Sequence, residues 1–301
     1  MISNIKYYAQ LLKFRLSLTV VISAIAGYLI GVTDFNFQEF IFLIFGGFLV
    51  TGSANGFNQV LEKDYDKLMT RTHDRPLPQK KIKTIYAVLF SLFIGLLGLY
   101  FLSLIKPHGS FYGYLSKSSA FGLLSLMIYV LSYTPLKRMS TVSIFVGAIP
   151  GAIPVMLGWV AATNKFGLAV GILFAIQFLW QFPHFISISW IRDKEYKKAG
   201  FKMMYGDKKG VYPAYIALIC SIFMTAVSVL PYFLDLKILD LSIISFFIIL
   251  FLGIWFTKNS FLLLRNLSDE SAKKLMLSSL VYLPLMQIIY VFDKWFVMWF
   301  F

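Results

Sequence analysis

Apolar residues in this chain come in runs near twenty long, separated by short polar stretches, over its whole length. A run of that length crosses the ~30 Å hydrocarbon core of a bilayer as a helix. The runs do not alternate apolar with polar residues, as the short strands of a membrane barrel would. Nine spans are predicted, over about 16–33, 40–58, 84–105, 118–134, 142–162, 168–190, 211–233, 240–257 and 275–298. Inside lipid every backbone N–H and C=O must be satisfied within the protein, which a helix achieves alone. The predicted fold is all-α: a polytopic membrane protein of nine transmembrane helices, forming a single integral domain over residues 1–301. No Pro/Ser-rich linker and no soluble appendage interrupts the pattern.

Composition supports this, with 58% hydrophobic residues and a mean hydropathy of +0.74. Charge adds the orientation. With the N-terminus placed in the cytoplasm, 23 of the 28 Lys and Arg fall on the inner side. Lys106, Lys117, Lys165, Lys237 and Lys294 fall outside. By the positive-inside rule this predicts a plasma (cell inner) membrane protein with its N-terminus cytoplasmic and its C-terminus outside. The net charge of +14 is thereby explained by the lipid bilayer as partner, with no nucleic acid. The single cysteine, Cys220, excludes a disulfide framework and a thiolate metal site. The first apolar run lacks the features of a cleavable signal and reads as a retained span.

Two inner loops, 61–83 and 191–210, hold seven of the 14 acidic residues and half of the basic ones. A loop that only reverses the chain does not need both signs in such density. Each follows an apolar span, begins with acids and continues into cations, which suggests two halves facing a shared cavity. From the end of the second span into the first loop, Asn58, Glu62 and Asp66 are spaced by four. On a helix they cover an arc of roughly 80° and climb ~12 Å, so they line one face. Oxygen donors of this kind suit Mg²⁺, which takes one or two carboxylates and completes its shell with substrate phosphates. Asp64 points off that face, toward a second ion or a basic partner. Arg71 and Arg75 follow within a few turns, as a diphosphate requires. The competing reading is an ordinary loop of mixed charge.

The second loop follows Trp180-Gln-Phe-Pro-His184-Phe185 and contains Arg192, Asp193 and Glu195. Offsets of 8 and 11 residues predict that His184, Arg192 and Glu195 share a helix face. Pro183 predicts a kink near the middle of the span. A lone histidine in a span is more often a structural hydrogen-bonding residue than a ligand. Tyr133-Thr-Pro-Leu-Lys137-Arg138 reads as a tight inner turn with two adjacent cations, which taken alone is a topology anchor. Gly147, Pro150, Gly151, Pro154 and Gly158 predict close helix approach around a pocket.

Taken together these residues resemble the UbiA superfamily of intramembrane prenyltransferases, and within it the heme O synthase branch. The resemblance is carried by Asn-Gln-x-x-Glu-x-Asp from Asn58 to Asp64 and Arg-Thr-x-x-Arg-Pro from Arg71 to Pro76. Trp-Gln-Phe-Pro-His-Phe from Trp180 to Phe185 and Lys-x-x-Gly-x-x-Met-Met ending at Met204 complete it. The Tyr133 to Arg138 segment is one residue shorter than the branch pattern. The resemblance covers roughly residues 15–290 and implies a nine-helix bundle with a central cavity. It implies farnesyl diphosphate and heme b as substrates, Mg²⁺ as cofactor, and a heme A synthase as a candidate partner. Residue by residue, it implies metal binding by Asn58, Glu62, Asp64, Asp66, Asp193 and Glu195, with Asn58, Glu62, Asp66 and Asp193 as the catalytic set. Arg71, Arg75, Lys137, Arg138 and Arg192 would bind the diphosphate, and His184 and Trp180 the heme.

Two other readings compete. A prenyltransferase acting on a quinone precursor would carry Asp where Gln59 and Glu62 stand, and acids near Arg192 and Tyr196. A transporter would place its charges near the bilayer midplane, with broken helices. Here the acids cluster at helix ends.

Overall fold

The computed structural model describes residues 2–106, 115–234, 236 and 238–300, with the backbone alone for 2–4, 207 and 297–300. The helices are α1 (Ile2–Leu11), α2 (Phe14–Gly31), α3 (Phe37–Asp66), α4 (Thr84–Ser103) and α5 (Lys117–Met127). A π-helical turn (Ile128–Tyr133) joins α5 to α6 (Thr134–Met139). Then follow α7 (Ser143–Thr163), α8 (Leu168–Ile191), α9 (Asp193–Lys198), α10 (Val211–Val229), α11 (Ile243–Asn266) and α12 (Asp269–Phe300). Among the described residues, nine helical stretches are long and apolar enough to cross a membrane, as the hydropathy pattern predicts. Most of the predicted outer loop between Lys106 and Lys117 lies outside the described residues, as does Lys237.

Local signals set several helix starts. Asn36 caps α3 by accepting the Glu39 N–H (3.1 Å), Ser116 caps α5 through Ser119 N–H (3.2 Å), and Ser242 caps α11 through Ser245 N–H (3.2 Å). Each side-chain oxygen satisfies one of the N–H groups a helix start leaves open. Helix ends differ from the predicted spans. α3 runs eight residues past 58, α11 extends to Asn266, and α12 begins at Asp269 after only Leu267 and Ser268. Hydropathy reports where the hydrocarbon ends, while a helix made of good formers continues into water.

The segment read as a tight turn, Tyr133 to Arg138, is instead the last helical stretch of its span. Pro135 lacks an N–H and cannot continue the regular ladder. The wider π turn absorbs the mismatch: Thr134 donates both its N–H and its hydroxyl (2.8 Å) to Tyr129 O. α8 in turn stays helical through Pro183 and ends at Ile191, with Arg192 in a non-helical conformation (φ −101°, ψ 12°). α9 is therefore a separate helix, and His184 shares no continuous face with Arg192 and Glu195. The count by 3.6 fails wherever a backbone break intervenes.

The glycines of α7 carry its packing. A Cβ on Gly158 would lie 1.8 Å from Ala24 O, and one on Gly27 would lie 2.0 Å from Val155 O, so α2 and α7 cross backbone to backbone. Gly147 leaves room for the Tyr133 ring. Pro154 frees the carbonyl of Pro150, which Ser125 Oγ approaches at 3.5 Å, and Gly151 O accepts from Gln177 Nε2 at 2.8 Å. Gln287 Nε2 donates to Gln177 Oε1 and to Ser23 Oγ, both at 3.1 Å, so a buried polar chain links α2, α8 and α12.

Candidate active site

The last two turns of α3 carry Asn58, Glu62 and Asp66 on one buried face, as their spacing predicts. They line a cavity of ≈150 Å³ together with Lys13, Arg71, Arg75, Lys137, Tyr129, Tyr133 and Tyr196. Asp66 is fully buried, and Arg75 Nη1 donates to its Oδ2 at 2.7 Å. The loop after α3 brings Arg75 back because Thr72 Oγ1 donates to Asp66 O (2.9 Å) and closes the helix end. Lys137 Nζ donates to Glu62 Oε1 at 2.8 Å and lies 4.4 Å from the centre of the Tyr133 ring.

The sequence reading missed Lys13, which it counted only as a topology cation. Lys13 lies at the break between α1 and α2, in a left-handed conformation (φ 46°) that turns the chain. Its Nζ donates to Asn58 Oδ1 at 3.2 Å, while Asn58 Nδ2 donates to Thr134 Oγ1 at 3.3 Å. α3 holds this break by its amides. Gln59 Nε2 donates to Gln10 O (3.2 Å) and Leu11 O (2.9 Å), and Asn55 Nδ2 to Ser17 Oγ (3.2 Å). Burial, with Arg75 and Lys137 nearby, pulls the Lys13 amine down to about 7. No local signal distinguishes such a lysine from an ordinary anchor before a span.

The other predicted residues fall elsewhere. Asp64 lies on the exposed side of α3 and pairs with Lys67 at 2.7 Å, the basic partner that its off-face position allowed. Arg138 stacks on the Tyr65 ring (4.1 Å to its centre) and donates to the Tyr65 hydroxyl. Arg192 is paired with Glu195 at 3.3 Å, and Asp193 with Lys197 at 2.9 Å. Asp193 lines a second cavity of ≈270 Å³ with Ser189, Lys197 and Met204. Tyr196, Phe201 and Met203 line both cavities. The two acidic motifs therefore face neighbouring cavities, and among the described residues no three His, Cys, Asp or Glu gather at one point.

The first cavity holds Lys13, Arg71, Arg75 and Lys137 against Glu62 and Asp66, an excess of positive charge that suits a polyanion. Its donor set also fits a hard cation. Asp66 Oδ1 is buried and accepts no hydrogen bond, a costly state for a carboxylate oxygen that a divalent ion would relieve. A row of rings leads away from this cavity. Tyr129 lies 5.2 Å from Tyr133, Tyr133 stacks on Phe185 at 6.5 Å, Phe185 lies 5.9 Å from His184, and His184 stacks on Trp180 at 4.4 Å.

Comparison with known proteins identifies the family. The UbiA prenyltransferase family matches residues 20–283. The chain belongs to that family. It is 41% identical to a protoheme IX farnesyltransferase of Flavobacterium psychrophilum, over 95% of this chain and 94% of the relative. It is 39% identical to one of Cytophaga hutchinsonii, over 98% and 99%. Solved structures share the fold. One described as digeranylgeranylglyceryl phosphate synthase superposes with a TM-score of 0.79 at 23% identity, covering 97% of this chain and 99% of that one. A UbiA homolog from Archaeoglobus fulgidus bound to DMAPP and Mg²⁺ superposes with a TM-score of 0.67 at 16% identity, covering 92% and 98%.

Proposed function

We propose that this integral membrane enzyme transfers the farnesyl group of farnesyl diphosphate to a vinyl group of heme b, giving heme O and pyrophosphate. The observation that carries the donor half is the cavity in which Asn58, Glu62 and Asp66 meet Lys13, Arg71, Arg75 and Lys137. The acceptor half is supported by relatives named protoheme IX farnesyltransferase at 38–41% identity over nearly the whole chain.

Asn58, Glu62 and Asp66 would hold Mg²⁺, which when bound supplies charge neutralisation and Lewis-acid assistance to the diphosphate. Asp193 would join from the neighbouring cavity, with Glu195 beside it on α9. Lys13, Arg71, Arg75 and Lys137 bind the phosphate oxygens and stabilise the negative charge that grows as the C1–O bond breaks. Arg138 and Arg192, outside the cavity, act as outer cations that draw the diphosphate toward it. C1 of the farnesyl group bonds to the terminal vinyl carbon as the C1–O bond to the diphosphate breaks, and water adds at the inner vinyl carbon, its spare proton passing to the released pyrophosphate. Tyr129, Tyr133 and Phe185 line the path and limit the access of water to the reacting centre. His184 and Trp180, at the far end of the ring row, face the porphyrin. The N-terminus lies on the cytoplasmic side, where the diphosphate substrate is soluble.

The test incubates membranes containing the protein with heme b, farnesyl diphosphate and Mg²⁺, with and without chelator, followed by mass spectrometry of extracted hemes. A Mg²⁺-dependent heme O product, lost in Asp66→Ala, supports the assignment. Prenyl transfer to 4-hydroxybenzoate with no heme product overturns the acceptor.

A further inference from the structure

Asn58 lines the first cavity, and its side-chain amide has two unlike ends. The oxygen accepts hydrogen bonds and binds cations, while the nitrogen only donates. A half-turn of the amide about its last bond therefore decides whether the cavity is offered a metal ligand. Two contacts set that turn. Lys13 Nζ donates to Oδ1 at 3.2 Å. Lys13 is also assigned above to the phosphate oxygens, so its hold on Oδ1 ends when a diphosphate binds. The contact that remains is at the other end. Thr134, buried at the start of α6 and outside the cavity lining, has its Oγ1 3.3 Å from Asn58 Nδ2. A hydroxyl has one hydrogen, and Thr134 donates it to Tyr129 O at 2.8 Å. Its oxygen is left to accept, so the end of the amide that it holds is the nitrogen. The π turn supplies this arrangement. In a regular helix a threonine hydroxyl returns to the carbonyl four residues back. Here it reaches the fifth, Tyr129 O, which also takes the Thr134 N–H.

We infer that Thr134 is a positioning residue for metal binding, its hydroxyl oxygen holding Asn58 Nδ2 so that Oδ1 faces the cation shared with the diphosphate. This rests on the placement of Asn58 in the Mg²⁺ site proposed above. A hydrogen bond behind a metal ligand fixes the ligand's orientation, and its loss typically costs about 10–100-fold in metal affinity. Exchanging Thr134 for valine keeps the branched shape and removes the acceptor. The freed amide then turns its nitrogen to the cation as readily as its oxygen. A carboxylate at position 58 has no donor end, so its use as a ligand does not depend on Thr134.

The experiment measures binding of farnesyl thiodiphosphate to the purified full-length protein in detergent by calorimetry, over a series of Mg²⁺ concentrations. Thr134→Val is expected to raise the Mg²⁺ concentration for half-maximal binding by about 10–100-fold. Affinity at saturating Mg²⁺ is expected to return to the wild-type value. Thr134→Ser, which keeps the hydroxyl, is expected to leave the Mg²⁺ requirement unchanged. In an Asn58→Asp background, Thr134→Val is expected to shift that requirement no further. The thermal midpoint without ligand reports folding, and Thr134→Ala takes the place of a valine variant that does not fold. An unshifted Mg²⁺ requirement in Thr134→Val overturns the inference, as does an equal shift in the Asn58→Asp background. A loss of affinity that saturating Mg²⁺ does not recover also overturns it, because a distorted cavity behaves that way. If Asn58→Leu keeps the wild-type Mg²⁺ requirement, the metal reading of Asn58 fails and this inference fails with it.

Discussion

Asp66 is the residue on which the proposed site depends most. It is fully buried, has one oxygen on Arg75 and offers the other to no donor. Replacing it by Asn keeps the shape and removes the charge. Loss of one preorganised electrostatic group at a developing charge costs on the order of 10²–10³ in rate, so Asp66→Asn is expected to lower heme O formation by that factor, measured by product mass spectrometry. Asp64, two residues away, is the contrast. It is exposed and satisfied by Lys67, and exposed substitutions of this kind change stability by at most about 0.5 kcal/mol. Asp64→Asn is expected to retain wild-type turnover in the same assay; a loss comparable to that of Asp66→Asn would place Asp64 in the metal site after all. Lys13 makes the third prediction. If its amine binds a phosphate oxygen, Lys13→Met removes a charge-assisted hydrogen bond of ~1.5–3 kcal/mol. That raises the dissociation constant of the prenyl diphosphate about tenfold to a hundredfold, readable by calorimetry with a non-hydrolysable analogue.

Helices deliver these side chains only because they pack where small residues permit. α2 and α7 touch through backbone atoms at Gly27 and Gly158, and an added methyl at Gly158 would overlap Ala24 O. Overpacking of this kind costs typically 1–3 kcal/mol, and the backbone oxygen cannot move aside as a flexible side chain would. Gly158→Ala is expected to lower the thermal midpoint in detergent. Gly171→Ala, on α8 with nothing within 4 Å of the new methyl, is expected to leave it unchanged. Equal effects from the two would mean that helix propensity, not packing, governs both positions.

The bundle as a whole is closed by contacts between its ends in sequence. Lys294 on α12 donates to Ile30 O at 2.6 Å and to Val32 O, capping the end of α2 across the full length of the chain. Charge counting takes this residue for an outer topology cation, yet its amine is spent on backbone carbonyls. Cations at a helix C-terminus meet its unpaired carbonyls and its negative dipole end. Lys294→Met leaves buried acceptors unsatisfied at a cost of ~1–3 kcal/mol. It is expected to lower the thermal midpoint while prenyl-diphosphate affinity, measured well below that midpoint, stays at the wild-type value. A large loss of affinity would show that closure of the bundle and the shape of the cavity are coupled.

Nine spans among the described residues and the common face of Asn58, Glu62 and Asp66 were legible in the chain alone. Each follows from properties that act over one helix: apolar length against bilayer thickness, and a 3.6-residue period. The same reasoning misplaced what depends on a break in that period. The π turn before Pro135 made a helix of the Tyr133 to Arg138 turn, and the break at Arg192 separated His184 from Glu195. It was silent on partners brought from other helices. Lys13 enters the cavity because Asn55 and Gln59 grip the α1–α2 break, Arg138 leaves it for the Tyr65 ring, and Asp193 faces a neighbouring cavity. Ser279 meets His184 across 95 residues of chain. Such contacts are decided by packing, where glycine, proline and buried amides set how near two helices come and which side chains then share one cavity.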